Sequence, residues 1–234
     1  MEKRVSVKIL FTLVIMFMVM SLFIGTVSAE SQHEISRIYG TDRYETSARV
    51  SSGIYESSDT VIIARGDAEG NYADAVAASL LAGVLDCPIL LTRPTSLPAS
   101  IADEIVRLGA TETYVLGGPN AVSGTVVDSI EALGIDVERI AGNNRYETAA
   151  AVALFARDLG EIADYAFIVN GFATADALVS GGYAFNNNVP ILLVSRDIVP
   201  DITRATLTAL GIEDFYIVGG TGVVGNDVEN YLKT

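Results

Sequence analysis

Arg43 and Arg145 recur in matching surroundings, Arg37-Ile38-Tyr39-Gly40-Thr41-Asp42-Arg43-Tyr44-Glu45-Thr46 and Arg139-Ile140-Ala141-Gly142-Asn143-Asn144-Arg145-Tyr146-Glu147-Thr148. Asp42 and Asn144 each precede a glutamate by three residues, the spacing of a capping box. The Asx side chain accepts from free amides of the first turn while the glutamate reaches back. Those residues are explained without a ligand. The arginines are not, because a helix start attracts anions and gains nothing from a positive side chain. Each needs a partner, either an internal carboxylate or an anion held jointly by guanidinium and helix amides. Asp74 in Tyr72-Ala73-Asp74-Ala75 and Asp176 in Thr174-Ala175-Asp176-Ala177 follow buried-strand patterns. A carboxylate there complements a helix dipole, and it also lies beyond a strand's carboxyl end, where open α/β sheets bind ligands. Pairing of Asp74 with Arg43 and of Asp176 with Arg145 would build one wall of such a site. Gly117-Gly118-Pro119-Asn120 and Gly219-Gly220-Thr221-Gly222 add strand-to-helix turns whose amides can meet phosphate, or which simply turn tightly. They lack the Lys-Ser/Thr of a P-loop and the spaced glycines of a dinucleotide site. The candidate ligand-binding set is Arg43, Tyr44, Asp74, Gly117, Gly118, Arg145, Tyr146, Asp176, Gly219 and Gly220.

Other chemistries are set aside by composition. His33 is the one histidine and precedes both motifs, so neither a His-based triad nor a His-rich metal site can be assembled. No carboxylate pair beyond the duplicated aspartates is singled out for glycoside hydrolysis. The expectation is a protein that is no enzyme and uses no metal or cofactor. With no tryptophan, sugar recognition would fall to Tyr, Arg and hydrogen bonds. The formal charge of −14 repels nucleic acid and anionic lipid, so no nucleic-acid partner is expected. Cys87 stands alone and can form no intramolecular disulfide. It reads as a small buried hydrophobe beside a strand.

The elements that position these residues occur twice. The arginine motifs are 102 residues apart, and the same offset relates Asp74-Ala75 to Asp176-Ala177, Pro88-Ile89-Leu90-Leu91 to Pro190-Ile191-Leu192-Leu193, and Gly117-Gly118 to Gly219-Gly220. A duplication of this length defines structural modules. Thr60 to Ala64, Pro88 to Leu91 and Thr113 to Leu116 are short, β-branched-rich runs of the kind buried in a parallel sheet. Tyr72 to Leu85, Leu97 to Leu108 and Val122 to Leu133 read as the helices that cover it. Pro98 near a helix start, and Gly109 and Gly134 past helix ends, fit that reading. Ala166 to Val169, Pro190 to Val194 and Phe215 to Val218 repeat the strands. The fold class follows: α/β, two tandem three-layer Rossmann-like modules with mostly parallel sheets.

The amino terminus reads differently. Lys3, Arg4 and Lys8 precede an apolar run from Ile9 to Val27, and Val27-Ser28-Ala29 offers small residues for cleavage, which is secretory signal architecture. Cleavage would remove Glu2 with the three basic residues and take the net charge from −14 to −16. Membrane attachment is expected only if the segment is retained. The expected division is a signal peptide at 1–29, a short linker at 30–36, and repeats at 37–138 and 139–234.

Taken together, R-I-x-G-x-x-R-Y-E-T-A, the Asp-Ala segment, P-I-L-L and a strand ending in Gly-Gly resemble the type 2 cell-wall-binding repeat. The likeness covers both modules. It implies a Toprim-like variant of the α/β fold and a secreted protein at the cell surface or cell wall. It further implies non-covalent attachment to an anionic secondary cell-wall or surface glycopolymer, as in surface-layer and surface-display proteins. Well-described members carry three repeats closing around a pseudo-threefold axis. Two repeats here imply a homo-oligomer that buries the module faces left open. The alternative is an extracytoplasmic protein binding a small anion or nucleotide-like ligand in each module.

Overall fold

The computed structural model describes residues 35–67 and 72–233, together with residues 11, 12, 14, 16 and 18. The expected signal segment and linker therefore lie almost wholly outside the described residues, as do Gly70 and Asn71. The five early positions are helical, and among the described residues no helix is long and apolar enough to cross a membrane. The chain divides into two units, Met1–Arg37 and Ile38–Thr234, and the second holds both modules.

The first module runs α1 (Arg43–Ile54), β1 (Thr60–Arg65), α2 (Ala73–Leu85), β2 (Ile89–Thr92), α3 (Ala99–Leu108), β3 (Glu112–Leu116), α4 (Gly124–Glu131) and β4 (Asp136–Ile140). The second runs α5 (Arg145–Leu159), β5 (Tyr165–Asn170), α6 (Thr174–Asn187), β6 (Ile191–Val194), α7 (Asp201–Leu210), β7 (Asp214–Val218) and α8 (Asn226–Leu232). Among the described residues every strand pair is parallel, in the orders β2-β1-β3-β4 and β6-β5-β7. The expected α/β architecture with parallel sheets in two tandem modules is therefore present. Local chemistry punctuates both copies alike. Pro98 and Pro200 precede α3 and α7, and Gly109 and Gly211 end them at positive φ, where only a residue without Cβ sits free of strain.

Strand β4 is an element that the sequence patterns left out. Asp136-Val137-Glu138-Arg139-Ile140 alternates charge and apolar residues and looks like a surface connection, yet it pairs with β3 from Glu112↔Asp136 to Leu116↔Ile140. The expected module boundary between residues 138 and 139 falls inside it. The start of the second repeat is thus a strand of the first module's sheet.

Packing continues across that boundary. On one face of the first sheet, α1, α3 and α4 bury Val61, Ile63 and Val115. The other face carries Ile62, Tyr114, Leu116 and Ile140, and these join Val152, Ala153 and Ala156 of α5 in one apolar cluster that runs on into the second module's sheet. Tyr114 meets Phe155 edge to face with ring centroids 5.2 Å apart. Helix α2 lies against both α5 and α6. At its crossing with α6 the backbones approach so closely that a Cβ on Gly83 would come 2.1 Å from the Phe185 carbonyl oxygen. Burying one large aliphatic chain such as Leu81 in this seam contributes roughly 1.5–3 kcal/mol. Cys87 is buried, as expected of a small hydrophobe, and burial pushes its thiol up to about 12.

Candidate functional site

The repeated helix starts are built as caps. Asp42 accepts from the amides of Tyr44 and Glu45 at 3.0 and 2.9 Å, and Asn144 accepts from those of Tyr146 and Glu147, both at 3.0 Å. The glutamates reach one residue further back than a standard box, accepting from the amides of Thr41 (2.7 Å) and Asn143 (2.9 Å). The threonines finish the motif: Thr46 and Thr148 hydroxyls accept from the amides of Gly40 and Gly142. These contacts hold Glu45 down at about 2, chiefly through the two Thr41 hydrogen bonds and then Arg49. Glu147 is lowered likewise through Asn143.

Both arginines find partners of a kind the sequence did not suggest. Arg43 donates to the Gly66 carbonyl at 2.9 Å and to the Tyr72 hydroxyl at 2.6 Å. Arg145 donates to the Gly171 carbonyl, and its guanidinium lies 4.1 Å from the Phe172 ring centroid. Each therefore ties its helix start to the residue just past the first strand of its own module. A carbonyl at a strand's carboxyl end is electron-rich and lacks a ladder partner, which suits a guanidinium as well as a carboxylate would. Tyr44 is buried in the first module's core beneath Arg93, and Tyr146 packs against the second module's core.

The duplicated Asp and Gly-Gly motifs meet directly. Gly117 has φ +90°, and a Cβ there would come 2.5 Å from Asp74 Oδ2; Gly219 has φ +126°, and its Cβ would come 3.0 Å from Asp176 Oδ2. Each carboxylate rests on a glycine that must lack a side chain. The surroundings then diverge. Asp74 faces Arg145 and Arg65 electrostatically, not Arg43, and burial raises its pKa against the pull of those two arginines. For Asp74 the cationic influence thus comes from Arg65 of its own module and from Arg145 across the module boundary, not from the expected Arg43.

That boundary encloses a crevice of about 320 Å³ lined by Arg65, Ala73, Asp74, Gly118, Pro119, Asn120, Ala121, Gly142, Asn143, Asn144, Arg145 and Thr148. Its floor is the gap between the carboxyl ends of β1 and β3, where the strand order reverses and open α/β sheets bind ligands. Its roof is the start of α5. Among the expected site residues, Asp74, Gly118 and Arg145 line it, with Gly117 directly behind Asp74. Arg43 and Tyr44 stand at the start of α1, and Asp176, Gly219 and Gly220 belong to the second module's own strand ends. Arg65, Asn120 and Asn143 line the crevice as well, although none is among the expected site residues. Arg65 had a usable signal, as the one charged residue closing the run Thr60-Val61-Ile62-Ile63-Ala64 at a strand's ligand-facing end. It chelates Asp67, lowering that carboxyl, and reaches the Asn120 carbonyl at 3.4 Å. Two guanidinium groups, three side-chain amides and a helix start can recognise a ligand that is both anionic and rich in hydroxyls.

Comparison with known proteins agrees with this architecture. Residues 37–127 and 139–229 each match Cell wall binding domain 2 (CWB2). The N-acetylmuramoyl-L-alanine amidase LytC of Bacillus subtilis is 34% identical over 93% of the chain, and the Amidase enhancer of the same organism is 30% identical over 84%. The alignments span 42% and 26% of those proteins, so the chain corresponds to less than half of either. Cwp6 from Clostridium difficile superposes with a TM-score of 0.77 at 27% identity over 89% of the chain and 34% of Cwp6. Cwp8 gives 0.71 at 28% identity over 83% of the chain and 32% of Cwp8. With both repeats matched and the fold shared, the chain belongs to the family of Cell wall binding domain 2, which it carries as a tandem pair.

Proposed function

We propose that this protein is secreted and attaches itself, without catalysis, to the cell wall by holding an anionic glycopolymer in the crevice between its modules. The observation that carries the reading is the convergence of Arg65 and Arg145, from different modules, on a strand-order switch point bordered by Asn120, Asn143 and Asn144. Fixed donors of this kind suit phosphate, carboxylate and hydroxyl groups along a polymer. The family supports wall binding, and the amidase activity named for one relative is not carried over to this chain. The same reading takes the protein as a homo-oligomer at the cell surface. A second reading, capture of a free small anion or nucleotide-like ligand, draws on the crevice's modest size of about 320 Å³.

Co-sedimentation with whole envelope, compared with envelope stripped of its secondary polymer, tests the proposal. Binding should vanish with the polymer and fall about tenfold in a folded R65A/R145A variant, a loss of about 1.4 kcal/mol. Moderate salt should not abolish it, because screening also relieves repulsion between the acidic chain and an anionic polymer. Undiminished binding by the double variant would remove the crevice from the site. Saturable uptake of inorganic phosphate without envelope binding would favour the second reading.

A further inference from the structure

The crevice holds one charged group that attraction for an anion does not call for. Asp74, in the first turn of α2, lines it together with Arg65 and Arg145. A carboxylate in such a place opposes an incoming anion about as strongly as a guanidinium at the same distance favours it. Complementing the helix dipole does not account for its position, because a solvated carboxylate would serve the dipole equally well. Asp74 is instead half-buried, with its Oδ2 so close over Gly117 that a Cβ there would come within 2.5 Å of it. Among the described residues no donor hydrogen-bonds this carboxylate. Burial raises its pKa, and what opposes the rise is the charge of Arg145 and Arg65. A desolvated acceptor left in that condition calls for a donor from elsewhere.

The groups around it are already engaged. Arg65 chelates Asp67, and Arg145 donates to the Gly171 carbonyl beneath the Phe172 ring. The side-chain amides of Asn143 and Asn144 donate to Glu147 at 2.7 and 2.8 Å. With Asp67 counted beside its arginine, two carboxylates stand against two guanidinium groups, so the charges of the crevice nearly cancel. A bare anion would find little net attraction there. A ligand that brings hydroxyl donors beside its anion meets both signs at once.

We propose that Asp74 is a specificity residue of this crevice, accepting from a ligand hydroxyl while the guanidinium groups take the anion, so that the site selects an anionic saccharide over a bare anion. The inference rests on the crevice being the polymer site. Within it, Arg65 and Arg145 supply attraction and Asp74 supplies discrimination. A bare phosphate or carboxylate group meets the repulsion of Asp74 with nothing to offset it, and the sugar hydroxyls convert that repulsion into a charge-assisted hydrogen bond.

Calorimetric titration of the full chain tests this with inorganic phosphate against glucose 1-phosphate, and with acetate against glucuronate. Each pair shares an anionic group and differs in sugar hydroxyls. In at least one pair the saccharide should bind about tenfold more tightly than the bare anion, part of the discrimination that a fully buried acceptor gives. A preference in the first pair marks the unit as a sugar phosphate, and one in the second marks it as a uronate. Asp74→Asn and Asp74→Ala, each confirmed folded by thermal melting, should both erase the preference, with the bare anion gaining several-fold as the repulsion is removed. No preference for either saccharide in the unaltered chain would overturn the proposal, as would a preference that survives both substitutions. Saccharide binding retained by R65A/R145A would remove the crevice and the polymer reading with it. Binding lost in R65A/R145A beside an undiminished preference in the Asp74 variants would sink the role of Asp74 alone, so the two readings fail separately.

Discussion

Asp74 and Asp176 descend from one position, yet they sit in different electrostatic settings. Each rests on a positive-φ glycine at the start of a helix. Over Asp74 the next module brings Asn143, Asn144 and Arg145, and Gly117 is buried. Beyond Asp176, Gly219 and Gly220 are exposed. The neighbouring strand ends differ as well. Arg65 points a cation into the first switch point, while Asn170 bridges the second by donating to the Val223 carbonyl at 2.6 Å and accepting from the Phe172 amide at 2.9 Å. The comparison teaches that one repeat supplies half of the crevice. The helix start of the following repeat supplies the other half, so a count of motifs overstates the number of complete crevices.

The largest effect should come from prying the two halves apart. Gly83→Val places side-chain atoms where the Phe185 carbonyl already lies, and overpacking of that kind costs about 3 kcal/mol. Urea unfolding should show a clearly lower midpoint, and an unchanged midpoint would mean the seam is looser than described. Gly117→Ala should cost about 2 kcal/mol and Gly219→Ala less, since both force a Cβ into positive φ but the first also presses on Asp74. Equal losses by thermal melting would break the contrast between the two carboxylate shelves.

Binding should divide the two arginines. Arg145→Ala is expected to weaken envelope attachment several-fold, and Arg43→Ala by less than about twofold, because only Arg145 lines the closed crevice. Arg145→Lys should rescue part of the loss, as it keeps the charge but not the fork. A reversed order in sedimentation assays would place the site on the first helix. The smallest contrast is in acid. Glu45 has a folded value near 2 against an ordinary 4.5, so its stabilising effect is complete above about 4.5 and is lost as pH falls towards about 2. Glu45 also binds Arg49 at 2.9 Å, where the second repeat has Ala151 opposite Glu147. Glu45→Gln should therefore flatten the acid limb of a stability–pH curve more than Glu147→Gln does.

Most of the framework was legible in residue order, because apolar runs of strand length, Pro-then-Gly punctuation and Asx–Glu caps are local signals. Thr60–Arg65, Ile89–Thr92 and Glu112–Leu116 lie within a residue of where the runs placed them. Strand β4 was not legible, since its pairing with β3 buries Ile140 while leaving Asp136 in water, and its alternation resembles a solvated linker. The crevice was legible only in pieces. Asp74, Gly118 and Arg145 were singled out, but proximity between residues some seventy positions apart is a property of packing that no local pattern carries. The Gly66 and Gly171 carbonyls that receive the arginines escaped for a related reason: a backbone carbonyl has no letter in the sequence.

The seam also dictates the order of events during synthesis. Contacts such as Tyr44 with Ala48, Ile101 and Ile105 form within the first module and close early, whereas Val76, Ala77 and Leu81 wait for helices that emerge much later. Distant contacts of that sort are slow to form, and a half-made chain presents a sticky surface in the interval. The crevice, lined from both modules, is complete only once the halves have joined. A chain that stops short of α5 lacks Asn143, Asn144 and Arg145, and with them one whole side of the crevice.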